Sequence, residues 1–270
     1  MAHKKRGVRR TWRWIAFCVS AGLTYGSALA APSARPVRPA PVPSPAAQIE
    51  HAMLADPVAG RLFAAIKRAD PAEFSAVKAI IVQQLMAHKP SEPMWQKVNQ
   101  RLFAAERQHQ RETMQASHEF LVQYRNTEIA MVEALHRADQ ALCATYMTTG
   151  SFHTRDQAID PRLMVDFRTA AWDAFAAGHD HPVHRIAAQP SENVSNAIIA
   201  AMKAQAIPED QARAFLSDPH AKDAMAAPQQ CETGLAFIKA INGLPDDQAD
   251  QTHVFLIQQS LDRTAASPVQ

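Results

Sequence analysis

Three histidines fall within six residues in the run His179-Asp180-His181-Pro182-Val183-His184. Neutral imidazole is the commonest metal ligand in proteins, so His179, His181 and His184 with the neighbouring carboxylate offer donor types suited to Zn²⁺ or Cu²⁺. The spacing matches no helical ligand pattern such as H-E-x-x-H, and Gly178 just before the run predicts a helix stop that puts it on a loop. Pro182 also restricts the backbone between His181 and His184. Solvated loop histidines are the reading carried forward, with a metal site at His179, His181 and His184 as its alternative. His153 is placed on another loop.

Cysteine chemistry is confined to Cys18, Cys143 and Cys231. Cys18 lies in an amino-terminal apolar run that reads as a removable leader, which leaves an even pair. In an oxidising compartment such a pair predicts a disulfide between Cys143 and Cys231. Neither has a sequence signature for an activating base, so a catalytic thiol is not expected. Asp166 and Asp173, seven apart on a predicted helix, share a face as a paired-carboxylate hydrolase would need, although solvated helix faces carry such pairs routinely. The chain has no G-x-S-x-G elbow, no P-loop and no G-x-G-x-x-G. Glycine is too scarce for the tight backbone approaches those motifs use, and no catalytic residue and no cofactor are assigned.

The amino terminus supplies an address. Lys4, Lys5, Arg6, Arg9, Arg10 and Arg13 precede an uncharged apolar run from Trp14 to about Leu23, and Ala28-Leu29-Ala30 follows. That order is a secretory leader over residues 1–30, with cleavage expected before Ala31. Removing it leaves 22 Lys and Arg against 26 Asp and Glu, a net charge of −4 in place of +2. Nucleic acid is therefore not an expected partner. Residues 31–45 hold six of the eighteen prolines and read as an extended, disordered Pro-rich linker.

The elements that must position any site are helical. Beyond residue 46 strict apolar alternation is almost absent and glycine drops to five residues. Asp56-Pro57, Asp70-Pro71, Asp160-Pro161 and Asp218-Pro219 each put an N-cap before a residue suited to the first turn, and Glu73 completes a near capping box. Gly178 and Gly243 are read as left-handed helix stops. The expected helices are residues 57–68, 71–88, 92–148 with a break, 161–177, 192–206, 209–217, 228–242 and 246–263. Trp95, Trp172, Phe167 and Phe175 are expected core anchors. Arg61-Leu62-Phe63-Ala64-Ala65 recurs as Arg101-Leu102-Phe103-Ala104-Ala105, but no third copy follows.

The fold class predicted is all-α, a multi-helix bundle with one long or broken central helix, over residues 46–265 with a tail at 266–270. The function expected is that of an exported binding, adaptor or structural protein, periplasmic or secreted, with no transmembrane segment after leader cleavage. Its partner is expected to be another protein or a cell-envelope component. The alternative is a metal-binding protein or metal-dependent enzyme using the His179, His181 and His184 loop.

Overall fold

Serine and aspartate side chains open many of the helices. The computed structural model describes residues 44–87, 91–150, 159–218, 221–222 and 224–266. These contain twelve helices and no strand: α1 (Pro45–Ala55), α2 (Gly60–Ala69), α3 (Pro71–Met86), α4 (Ser91–Gln108), α5 (Gln110–Thr113) and α6 (His118–Ala138), followed by α7 (Gln140–Thr149), α8 (Pro161–Asp180), α9 (Glu192–Ala204), α10 (Glu209–Ser217), α11 (Ala227–Asn242) and α12 (Asp246–Ala266). The protein is all-α, as its sequence pattern indicates. The leader, most of the Pro-rich linker, His153 and Pro219 lie outside the described residues.

The caps explain several starts. Asp70 accepts from the Glu73 amide at 2.9 Å, Asp139 from Leu142 at 2.9 Å and Asp160 from Arg162 at 2.9 Å. Each bond satisfies an amide that the first helical turn leaves without a partner. Pro45, assigned to the linker from composition, instead occupies the first turn of α1, capped by Ser44. Asp56 does not open a helix at residue 57. It closes α1, and its side chain accepts from the Val58 and Ala59 amides, so α2 starts only at Gly60.

The segment expected as one long or broken helix over residues 92–148 is interrupted three times. His109 separates α4 from α5, a turn through Met114–Ser117 separates α5 from α6, and Asp139 in an extended conformation both ends α6 and caps α7. The polar stretch from Glu106 to Thr113 packs on α8. Glu106 accepts from Arg168 Nε at 2.7 Å and from Trp172 Nε1 at 3.2 Å, and the His109 ring stacks on Phe175 with centroids 3.9 Å apart.

Gly178 does not stop a helix. It is buried within α8, where an added Cβ would overlap the carbonyl oxygen of Glu112, so the missing side chain lets α5 and α8 approach closely. Gly243 closes α11 in the right-handed region. Left-handed caps among the described residues are Gly150, at φ +66°, after α7, and Ala206, at φ +67°, after α9.

Four apolar clusters form the interior. The largest joins α1 to α4 with α8, and Trp172, at 1 % exposure, lies within it beside Phe63, Val98 and Leu102. Leu62 and Leu102, equivalent positions in the pentapeptide echo, enter this same cluster. A second cluster joins α9, α10 and α11, a third joins α6, α7 and α11, and a small fourth holds Leu121 and Ala174. The Cys143–Cys231 disulfide ties α7 to α11 within the third, with Cα atoms 5.4 Å apart across 88 residues. Closing that loop stabilises by about 4–5 kcal/mol in the chain-entropy account. Among the described residues, no helix is long and apolar enough to cross a membrane.

Candidate functional site

Tyr124 and Glu128 stand one turn apart on α6 and so share a face. Beside that face α7 contributes Tyr146, α8 contributes Phe167, α11 contributes Ile238 and Ile241, and α12 contributes His253, Leu256 and Ile257. Together these helices enclose a partly open cavity of about 180 Å³. A cavity of about 150 Å³ is large enough to hold benzene, so this one has room for a single-ring molecule.

Its polar groups are those of Tyr124, Arg125, Glu128, Tyr146 and His253, with Gln110 and Ser260 also in the lining. Tyr146 donates its hydroxyl to Glu128 Oε1 at 2.7 Å. Burial pushes the Glu128 carboxyl above its ordinary range, although the Tyr146 bond and the Arg125 charge oppose the shift. Both tyrosines are held well above the usual phenol value, first by burial and then by the Glu128 charge. The Tyr124 ring lies 5.3 Å from Phe167 and 5.3 Å from His253, centroid to centroid. His253 is buried, and its pKa falls to about 3 because burial disfavours the imidazolium and Arg125 repels it. Its Nε2 is buried without a hydrogen-bonding partner. The wall therefore contains a neutral imidazole near pH 7.

Behind the cavity, Asp250 of α12 gathers cations. At 3 % residue exposure it accepts from Arg125 Nη1 at 2.7 Å and from Arg185 Nη2 at 3.2 Å, and His118 Nδ1 lies 3.0 Å from it. Arg125 Nε also donates to Asn242 Oδ1 at 3.2 Å. A buried carboxylate met by two guanidinium groups satisfies charges that would be costly to bury alone. This cluster fixes α6, α12 and the segment after α8 around one point, which sets the back of the cavity.

The residues singled out from the sequence fall elsewhere. His179 is in the last turn of α8, not on a loop, because the helix runs through Gly178 to Asp180, and His181 is its C-cap. His179, His181 and His184 are all exposed. Among the described residues no three His, Cys, Asp or Glu side chains are grouped to hold a metal. The chain on either side of His184 is pinned by its backbone: Val183 N donates to Gln115 O at 2.7 Å and Arg185 N to Gln115 Oε1 at 3.0 Å. Asp166 and Asp173 do share a face of α8, but that face meets α2, where Asp166 pairs with Arg61 and Asp173 with Arg68. The seven-residue spacing on each helix matches the two ion pairs. Glu73 is buried and receives Arg101 through both Nε and Nη2, the latter at 2.6 Å, so its side chain serves the α3–α4 contact.

Trp172 and Phe175 are core anchors as expected, and Trp95 packs against the same cluster. Phe167 is partly buried and lines the cavity. The cavity itself has one local trace in the sequence, the one-turn spacing of Tyr124 and Glu128. Its other walls come from five helices, α5, α7, α8, α11 and α12.

Over the described residues, fold and site together define a disulfide-tied, all-helical protein with a partly open cavity. Comparison with protein-family models, curated proteins and solved structures finds no match.

Proposed function

We propose that this chain is an exported helical binding protein, acting in the periplasm or outside the cell, with the cavity between α6, α7, α8, α11 and α12 as its ligand site. The observation that carries the reading is the cavity wall: aliphatic and aromatic side chains around a few convergent polar groups, the usual composition of a small-molecule pocket. The leader-like residues 1–30 and the Cys143–Cys231 bond support the address, since disulfides persist in oxidising compartments. A linker rich in proline would hold the helical part away from an envelope component or protein partner.

Two measurements test this. Mass spectrometry of the exported fraction is expected to find an amino terminus at or within a few residues of Ala31, with no free thiol at Cys143 or Cys231. Single-ring and short-chain probes, added during amide-shift NMR, are expected to perturb α6 and α12 saturably. An intact Met1 with two reduced cysteines would overturn the export reading, and shifts spread evenly over the surface would overturn the cavity as the site.

A further inference from the structure

Glu128 is the residue in the cavity whose chemistry is incomplete. Tyr146 is its one hydrogen-bonding partner among the described residues, and that bond engages Oε1. The guanidinium in the wall, Arg125, is already committed to Asp250 and Asn242. Asp250 in turn draws Arg185 and His118 into the same cluster. His253, the other basic side chain lining the cavity, is buried without a partner for Nε2. A partly buried carboxylate to which the described residues bring no uncommitted cation either keeps a proton or takes a cation from outside.

The surroundings favour a particular cation. Tyr124, Tyr146 and Phe167 cluster beside Glu128, with ring centroids 5.3 Å apart for Tyr124 and Phe167 and 6.2 Å for Tyr146 and Phe167. Aromatic rings attract ammonium groups through their quadrupoles, and do so most when water is excluded. A metal ion would want several oxygen or nitrogen donors, and no such group of side chains exists among the described residues. An anion would meet the Glu128 charge, and an uncharged guest would use none of it, leaving the carboxyl to keep its proton.

We infer that the cavity binds a small organic monocation, a quaternary or protonated amine with a short apolar arm, its charge set against the Glu128 carboxylate and its alkyl groups against Tyr124, Tyr146 and Phe167. The volume of about 180 Å³ admits one such group. The inference deepens the binding-protein reading and rests on it.

Calorimetric titration of the mature, disulfide-intact protein tests it with two probes of the same shape. One is choline. The other is its carbon isostere, in which an uncharged tert-butyl group replaces trimethylammonium. Choline is expected to bind at least about tenfold more tightly than the isostere, the scale of a desolvated cation–aromatic and charge contribution. Glu128→Gln keeps an amide oxygen to accept the Tyr146 hydroxyl, and is expected to bring the ratio near one while leaving isostere binding in place. Equal or tighter binding of the isostere by the unaltered protein overturns the inference and leaves the cavity reading standing. Failure of both probes to bind overturns the two together. Because the ratio in the unaltered protein is decisive by itself, poor folding of Glu128→Gln does not protect the inference.

Discussion

Two regions of this molecule bury their helices in different ways. Around α2, α3, α4 and α8 the interior is mostly apolar, with Trp172, Leu102, Val98, Val77 and Ile66 all at or below 1 % exposure, and its charges are paired: Glu73 with Arg101, Glu106 with Arg168, and Arg61–Asp166 and Arg68–Asp173 nearer the rim. Around α6, α7, α11 and α12 the chain leaves a cavity and places ionisable groups beside it: Glu128, two tyrosines, a neutral His253 and the Arg125–Asp250 pair. A region built only for stability would exchange such groups for hydrocarbon at little loss. The first region pairs each such charge across a helix contact, whereas the second sets ionisable groups beside open space, and it carries the disulfide.

That contrast is broken most forcefully at the disulfide. Cys231→Ala is expected to destabilise by about 4–5 kcal/mol, lowering the thermal midpoint by roughly 10–20 °C for a chain of this size. If the cavity region depends on the bond more than the filled core does, hydrogen exchange in α7 and α11 should accelerate before exchange in α3 and α4. Uniform acceleration would show that the regions unfold as one unit.

A smaller break tests the filled side. Gly178→Ala forces a Cβ into the Glu112 carbonyl and against the Ala116 amide, and backbone atoms cannot rotate away as a side chain does. The expected cost is about 3 kcal/mol, the upper range of overpacking, despite the helix propensity that alanine adds. A stabilised variant in urea denaturation would disprove the close approach of α5 and α8.

The same deletion in the two regions sharpens the comparison. Leu102→Ala removes a side chain surrounded on all sides and should cost about 3 kcal/mol. Leu256→Ala removes one that already borders the cavity, so it has fewer contacts to lose and should cost about 1 kcal/mol. Urea midpoints at unchanged slope measure the difference of about 2 kcal/mol. Equal costs would mean that the cavity is closed in solution.

What the sequence revealed follows the range of each interaction. Asp70-Pro71 and Asp160-Pro161 were readable because a cap and its amide lie within three residues. Cys143 and Cys231 were readable because, once the leader is set aside, a pair has one possible connection. Pro45 was hidden by its linker-like neighbours, although Ser44 supplies a local cap. Gly178 misled because glycine permits both a left-handed stop and a close helix crossing, and only the position of Glu112 decides between them. The cavity stayed hidden because Tyr124 and His253 meet across 129 residues. Asp250 likewise joins Arg125, Arg185 and His118 only after folding. Local periodicity found the helices, whereas the polar groups they enclose were set by how those helices cross.

The smallest expected effect is proton-linked and belongs to the cavity region alone. Folding lowers the His253 pKa from 6.5 to about 3, chiefly through burial. Between those values the unfolded chain binds a proton that the folded chain refuses, so stability falls as pH falls. From pH 7 to pH 5.5 the loss attributable to His253 is about 1 kcal/mol. Glu128 works in the opposite direction, because a raised folded pKa adds stability that is fully present below the ordinary carboxylate value and is lost as pH rises through the folded value. The measurement must therefore be a difference between proteins. His253→Phe keeps a ring beside Tyr124 and removes the titration, so it should lose about 1 kcal/mol less than the unaltered protein over that interval. Matching pH slopes for the two would mean that water reaches His253 in the folded state.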